Sequence, residues 1–352
     1  MTPSALALAN ETSERTMPHG DAIVFLSPSE IRALEIPHDY ILLGDCHLVR
    51  GGITLIGGQA GVGKSRALVS LALAGATGQS WFGLDVRARF KTAIFQTENG
   101  KVRLKQEFDD IAGDDLDDYI RITAPPLYGL ALRDPRFCSE VQKQLKEKKF
   151  EPDVIAIDPF NSIAQDDRMY DYRDALNTLR NFAAGFEKDV ALVIVAHTRK
   201  PRGDERPRGR NLLHEFSGSH VLLTAARCAF VMQHASNDPE DDRIVWTCCK
   251  NNDGALGTPS AWLWRDGPFV PAEDFDMDAL LAASQPRRTV TADDIRGVLA
   301  DKAMTRNDAV KELMERTGLL KSACYAALDP SGKFRDLLEE KDGLFRLKPQ
   351  NN

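Results

Sequence analysis

The chain has 352 residues, 43% of them hydrophobic and 28% charged, with 52 acidic residues against 45 basic ones and a formal net charge of −7. That length exceeds the roughly 250–300 residues at which a single core stops growing, so two domains are expected. The acidic balance excludes a uniformly basic nucleic-acid coat but not a local basic groove, and no run approaches the ~18 apolar residues of a membrane span.

In chain order, residues 1–20 are rich in Ser, Thr, Pro and Ala and lack the basic start of a signal peptide. They are expected to form a disordered leader, and the protein is expected to be cytoplasmic. The stretch SPSEIRALEIP, Ser27–Pro37, reads as an arm ahead of the core. From Ile53 onward short apolar runs alternate with amphipathic ones. This predicts strands at Ile53–Ile56, Thr92–Gln96, Asp153–Ile157 and Ala191–Ala196, with helices near Lys64–Ala76, Val102–Ile111, Ser139–Lys148 and Tyr172–Phe186. Strands buried on both faces read as unbroken apolar runs, as VIAI and ALVIVA do, so the fold class is α/β with a mostly parallel central sheet. After Leu212 the runs CAFVMQ, RIVWTCC and AWLW, separated by polar turns, predict antiparallel strands extending one edge. Residues 21–272 are thus expected to form one domain, 273–290 a linker, and 291–349 a small helical domain.

Within GGQAGVGKS stands Gly58-x-x-x-x-Gly63-Lys64-Ser65. The glycines let main-chain N–H groups converge on phosphate oxygens, Lys64 brings charge to the β- and γ-phosphates, and the Ser65 hydroxyl is a ligand for Mg²⁺. A strand leads in and a helix leads out, aiming its positive end at the same anion. Gly58, Gln59, Ala60, Gly61, Val62, Gly63, Lys64, Ser65 and Arg66 are therefore the expected ATP contacts. Two acids stand at the ends of predicted strands. Asp158, closing DVIAID, is expected at Mg²⁺ with Ser65, and Glu98, in TAIFQTENG, is the candidate general base for the attacking water.

With Gly58–Ser65, Glu98, IAIDPF, VIVAHTRK and KNNDG on view, the sequence resembles the RecA-like P-loop ATPases, and specifically the RepA-type hexameric replicative helicases, over roughly Ile31–Trp264. The resemblance implies a RecA-like core, ATP and Mg²⁺ as cofactors, single-stranded DNA as partner and a homo-oligomeric ring, in the helicases a hexamer. It implies that Glu98 is the catalytic base, that Asp158 holds magnesium, and that His197 senses the γ-phosphate. KNNDG, Lys250–Gly254, is similar to an element whose basic residue reaches a neighbouring subunit's nucleotide. Asn252 stands where many such motors carry Arg, which leaves Lys250 and Arg227 as candidate fingers acting in trans.

Directly after His197 the chain carries Arg199, Lys200, Arg202, Arg206, Arg208 and Arg210, interleaved with Pro and Gly that disfavour a helix. Such a loop suits phosphate contacts along a single strand, and Phe216 is the one aromatic near it. The segment Thr291–Leu347 looks like a winged helix: a Thr-x-x-Asp start, a helix with Ala309, Val310, Leu313 and Met314 on one face ending at Gly318, then a recognition helix offering Lys321, Ser322 and Tyr325. It is a candidate surface for duplex DNA or for a replication or loader protein. The expected function is a plasmid or mobile-element DNA helicase, against the alternative of an ATP-gated regulator, loader or recombinase that does not unwind. None of the six cysteines forms a C-x-x-C pair, so buried, reduced thiols are expected.

Overall fold

A computed structural model of the chain describes residues 25–109, 111, 115–124, 129–164, 169–199, 207–216, 220–236, 238, 240–265, 268–282, 289–300 and 302–348. The expected leader and the loop cations Lys200, Arg202 and Arg206 lie outside the described residues.

A nine-stranded sheet organises the chain. A short antiparallel pair, β1 (Ile41–Leu43) and β2 (Leu48–Val49), precedes it. The sheet strands are β3 (Ile53–Gly58), β4 (Thr92–Gln96), β5 (Ile120–Ile122), β6 (Val154–Asp158), β7 (Ala191–His197), β8 (Cys228–His234), β9 (Ile244–Asn251), β10 (Ser260–Trp264) and β11 (Phe269–Pro271). Their order is β11-β10-β9-β8-β3-β7-β6-β4-β5. From β8 through β5 every neighbour is parallel, whereas β8–β9, β9–β10 and β10–β11 are antiparallel. The chain therefore has an α/β fold, with a mostly parallel sheet extended along one edge by antiparallel strands.

Helix α1 (Pro28–Arg32) begins with Ser27 and Glu30 in a reciprocal capping box. It is followed by α2 (Lys64–Thr77), α3 (Lys101–Asp109), α4 (Leu116–Tyr119), α5 (Pro135–Glu147), α6 (Met169–Ala183) and α7 (His220–Ala225). The central strands are buried throughout because each feeds both faces. Leu55, Ile155, Ile157 and Ile194 pack toward Leu145 of α5 and toward Tyr172, Leu176 and Leu179 of α6. Ile56, Ala156, Val193 and Val195 pack toward Ala67, Leu68, Leu71 and Ala72 of α2. Each large side chain so buried contributes roughly 1.5–3 kcal/mol. At the antiparallel edge Phe82 stacks on Trp246 at 4.2 Å, Trp246 on Phe230 at 4.7 Å, and Trp81 donates its indole N–H to the Ala67 carbonyl at 3.0 Å. That aromatic cluster clamps the antiparallel strands to the helix after the glycine loop.

Several boundaries differ from expectation. Helix α5 starts at Pro135, four residues before the expected Ser139, because the Asp134 side chain accepts from the Arg136 N–H and proline suits the first turn. Helix α6 runs Met169–Ala183 rather than Tyr172–Phe186, and α3 ends at Asp109. The expected linker contains a helix, α8 (Met277–Ala282), and its last residue Val290 is buried. The tail of the basic loop is not irregular: Gly209–Glu215 forms a 3-10 helix that buries Leu212.

Beyond residue 290 come α9 (Ala292–Leu299), β12 (Met304–Thr305), α10 (Arg306–Thr317), α11 (Lys321–Ala327), β13 (Leu338–Lys341) and β14 (Leu344–Leu347). The three strands pair antiparallel in the order β12-β14-β13, and β12 and β13 were not anticipated. Thr291 and Asp294 cap α9 reciprocally, and Gly318 closes α10 in the left-handed region at φ 71°. Ile295, Val298, Ala309, Val310, Leu313, Cys324 and Phe345 form a core for these elements, with Met314 packed against it.

Candidate nucleotide site

The C-terminal ends of the parallel strands converge in register. Gly58, closing β3, lies opposite His197, closing β7, and Gln96 of β4 lies opposite Asp158 of β6. Strand β7 sits between the glycine-loop strand and the Asp158 strand, so the imidazole of His197 stands between the loop and the carboxylate. The Thr198 N–H donates to the Gly58 carbonyl at 3.1 Å, and the Thr97 N–H donates to the Asp158 carbonyl at 3.2 Å. These bonds tie the loop ends to one another.

Gly61 and Gly63 take φ of 80° and 98°, a backbone that L side chains rarely adopt, and Gly63 caps α2. The loop between β3 and α2 thereby takes the left-handed turns that a phosphate cradle of backbone amides requires. Lys64 is buried and folds back over that loop, its ammonium donating to the Gly58 carbonyl at 3.0 Å and to the Gln59 carbonyl at 2.7 Å. Burial pulls its pKa down, while Asp158 and Glu98 oppose the shift.

Asp158 is buried, and burial pushes its pKa up; the Ser65 hydroxyl, hydrogen-bonded to it, and the charges of Lys64 and His197 work the other way, while Glu98 adds to the rise. His197 is held below the usual imidazole range, first by burial and then by Lys64. Lys64, Ser65, Glu98, Asp158 and His197, spread over more than a hundred residues of sequence, thus feel one another's fields. Ser65 and Asp158 place a hydroxyl and a carboxylate side by side, hard oxygen donors suited to Mg²⁺, which is commonly held by few protein groups and completed by substrate phosphates. Among the described residues no group of three or more His, Cys, Asp or Glu is gathered as a closed metal centre.

Glu98 lies just past β4, exposed, in a turn that the sequence does not reveal. Gln96, almost wholly buried, builds that turn by accepting from the Asn99 N–H at 2.8 Å and donating to the Asn99 and Thr123 carbonyls at 3.2 and 2.8 Å. Gln96 is thus a positioning residue for Glu98; a polar side chain ending an apolar strand is the signal that marks it. Glu107 on α3 was likewise missed. Both its carboxylate oxygens are buried without a hydrogen-bond partner, and burial raises its pKa against the pull of Arg103 and Arg66.

A cavity of about 480 Å³ opens on the β8 side of the glycine loop. Gln59, Gly61, Val62, Gly63 and Arg66 form one wall, and Gln233, Asp241, Trp264 and Phe269 another. The Arg66 guanidinium lies over the Trp264 ring at 4.9 Å, and Trp264 meets Phe269 edge-on at 5.0 Å. Arg208, expected on a free DNA loop, instead lines this cavity and donates to the Gln233 side chain at 3.2 Å. Arg199 and Arg210 are exposed. Phe216 offers no stacking surface: it is buried, pairs through Thr198, and lies where a Cβ on Gly57 would come within 2.6 Å of its ring.

Arg227 and Lys250 sit at the other end of the sheet. The Arg227 N–H donates to the Ile53 carbonyl, at the start of β3, and Lys250 lies opposite Ala229. Five residue steps along the strand take Ile53 to Gly58, roughly 16 Å. Arg227 is exposed and pairs with Asp253 at 3.7 Å, while the Lys250 ammonium donates to the Leu223 carbonyl at 2.6 Å. Gly254 ends the element because a Cβ there would fall 2.1 Å from the Asp45 carbonyl oxygen. Lys321 is exposed on α11, 5.7 Å from the centre of the Tyr325 ring, and the Tyr325 hydroxyl is engaged by Asn307.

The raised pKa of Asp158 has a consequence for stability. Below 3.8, the ordinary value, the carboxyl is protonated in folded and unfolded chains alike and imposes no penalty. As pH rises through the raised folded value, the unfolded chain sheds its proton first and folding becomes less favourable. Asp158→Asn is therefore expected to melt higher than wild type at pH 7, with the gap closing as pH falls toward 4, while magnesium-dependent turnover is lost. Thermal melts across that range check it, and a lower melting temperature at pH 7 contradicts it.

A family profile described as an AAA domain matches residues 26–203 of the chain. No curated protein matches by sequence. Among solved structures, a KaiC-like protein from the hyperthermophilic archaeon Pyrococcus horikoshii is similar at 15% identity and a TM-score of 0.45, over 66% of this chain and 94% of that one. The RadB recombinase is similar at 13% identity and a TM-score of 0.44, over 64% and 93%. No helix among the described residues is long and apolar enough to cross a membrane.

Proposed function

The chain belongs to the family of the AAA domain matched over residues 26–203, a family of P-loop ATPases, and from that premise we propose that it is a ring-forming ATPase that moves single-stranded DNA, a replicative helicase of the RepA type. The observation that carries the step from ATPase to ring is the separation of Arg227 and Lys250 from their own glycine loop. Cations whose backbone is anchored at the start of β3, a strand length of roughly 16 Å from Gly58, are placed to serve the phosphates of a second copy that brings its own loop to that end of the sheet.

In this reading the loop Gly58–Ser65 and Lys64 grip the triphosphate of ATP. Ser65 and Asp158 would hold Mg²⁺, which would neutralise charge on the phosphates. Glu98 accepts a proton from a water molecule as its oxygen attacks the γ-phosphorus and the bond to the β-phosphate oxygen breaks, leaving ADP and phosphate. Lys64 stands beside the transferring group. Arg227 or Lys250 of the neighbouring copy meets the charge that builds there. His197, uncharged at neutral pH, stands at the loop and at the root of the segment bearing Arg199 and Arg210, so a change at the γ-phosphate is felt where DNA phosphates bind. The cavity between Arg66, Trp264 and Phe269 takes the rest of the nucleotide. Residues 291–349 act as a winged-helix module, docking duplex DNA or a replication protein.

ATP turnover should rise when single-stranded DNA is added at low salt, and a forked duplex should be separated by wild type and not by Lys64→Ala. Turnover indifferent to DNA contradicts the motor. Sequence-specific duplex binding without strand separation favours an ATP-gated regulator instead.

A further inference from the structure

Six free cysteines are described, and they do not behave alike: Cys228, Cys249 and Cys324 are buried, whereas Cys46, Cys138 and Cys248 are only half-buried. Strands β8 and β9 bring two of them together. Phe230 lies opposite Cys248, so Cys228, two residues earlier on the same face, is its diagonal neighbour, and a bulge at Ala229 closes the gap. The two Sγ atoms are 3.9 Å apart. A disulfide needs about 2.05 Å, a closure of about 2 Å that cross-strand side chains make by small χ1 rotations.

A third group stands beside them. His47, in the turn before β2, is buried, and its ring stacks on Phe230 at 5.7 Å. Its Nδ1 accepts from the Asp45 N–H at 3.0 Å, so the neutral ring carries its proton on Nε2. Nε2 is buried with no hydrogen-bond partner in the standing geometry. An N–H without an acceptor next to a thiol is relieved when that thiol ionises. The same tautomer leaves no lone pair on Nε2, which disfavours a thiophilic metal at these three groups and favours a thiolate. Hydrogen bonding with Cys228, against the cost of burial, and His47 pull Cys248 down to about 6, whereas burial pushes Cys228 well above the usual thiol range. A half-buried thiol held below the usual range is thus backed by a fully buried one held above it, an attacking and a resolving sulfur.

We propose that Cys248 and Cys228 form a peroxide-reactive dithiol that closes to an intramolecular disulfide. The Cys248 thiolate attacks one oxygen of hydrogen peroxide, breaks the O–O bond and becomes a sulfenic acid, and the released hydroxide takes up a proton to leave as water. The Cys228 sulfur then attacks the Cys248 sulfur, and its proton leaves with the displaced hydroxide as a second water. Two thiols are oxidised, one peroxide is reduced, and the balance closes.

The bond has a place to act. As a thiol Cys248 Sγ donates to the Lys250 carbonyl at 3.3 Å, and Cys228 directly follows Arg227. Ionisation gives up that bond and the disulfide makes its loss permanent, while drawing the sulfurs together shifts the strand ends that carry both cations. The effect on catalysis rests on the role proposed above for Arg227 and Lys250; the disulfide itself does not.

Full-length protein is treated with hydrogen peroxide, and intact mass, peptide mapping without reductant and ATP turnover are read in parallel. The expected chain is lighter by two hydrogens, linked Cys228 to Cys248, with turnover down at least about tenfold and restored by dithiothreitol. Cys248→Ser should abolish linkage and peroxide sensitivity together, and Cys249→Ser should keep both. Linkage through Cys249, or no linkage with Cys248 alkylated no faster at pH 7 than Cys138, overturns the dithiol. A Cys228–Cys248 bond that leaves turnover unchanged overturns its action on Arg227 and Lys250. Reduced protein that hydrolyses no ATP counts against the proposed function alone, since the mapping still decides the thiol chemistry.

Discussion

Glu98→Gln is expected to lower ATP turnover at least about 100-fold while leaving ATP affinity within a few-fold of wild type. The amide keeps the size and hydrogen-bonding reach of the carboxylate and loses only its capacity to take a proton. In the proposed function the grip on the triphosphate comes from elsewhere: from the loop shaped by Gly61 and Gly63 at positive φ, and from the Lys64 ammonium. Binding and chemistry should therefore separate at this residue. Gln96→Ala offers a graded version, because Glu98 rides on a turn that Gln96 builds through three hydrogen bonds. Turnover should fall and be partly recovered in Gln96→Asn, a pattern that general loosening of the fold does not produce. Single-turnover hydrolysis beside equilibrium nucleotide binding makes both measurements. Equal loss of affinity and rate in Glu98→Gln contradicts the role given to Glu98.

Two inactive proteins are expected to make an active mixture. Lys64→Ala loses its own nucleotide grip but keeps Arg227 and Lys250, and Arg227→Ala keeps the grip but offers one cation fewer to a neighbour. Where the two alternate around a ring, an intact loop meets an intact edge, and turnover per intact loop should recover over either protein alone. Removing a finger that acts in trans costs about 10³-fold or more, so even partial recovery stands well above background. Lys250→Ala in place of Arg227→Ala decides which cation is the finger. No recovery at any ratio, with both proteins assembled, contradicts action between subunits.

Much of the candidate site was legible in the sequence because parallel strands buried on both faces read as unbroken apolar runs. Asp158 and His197 end such runs, so their meeting at one edge follows from the fold class. The order of the strands was not legible, since nothing local in ALVIVA says that β7 lies between β3 and β6. The fold of the segment that carries Arg208 and Phe216 was hidden for a related reason. A segment of Arg, Pro and Gly looks like a free loop, yet Leu212 and Phe216 bury themselves and draw its tail back over the sheet. The helix within the expected linker was hidden by its neighbours SQPRR, whose composition dominated the window. The meeting of Cys228 with Cys248 depends on a cross-strand register shifted by a bulge, which no sequence spacing announces.

The most direct measurement is phosphate release from ATP by purified protein in magnesium, with Lys64→Ala beside it. Turnover that requires the metal and falls at least about 100-fold in Lys64→Ala is the predicted result. Wild-type protein that neither binds ATP nor releases phosphate, or a Lys64→Ala protein that matches it, contradicts a nucleotide site at Gly58–Ser65.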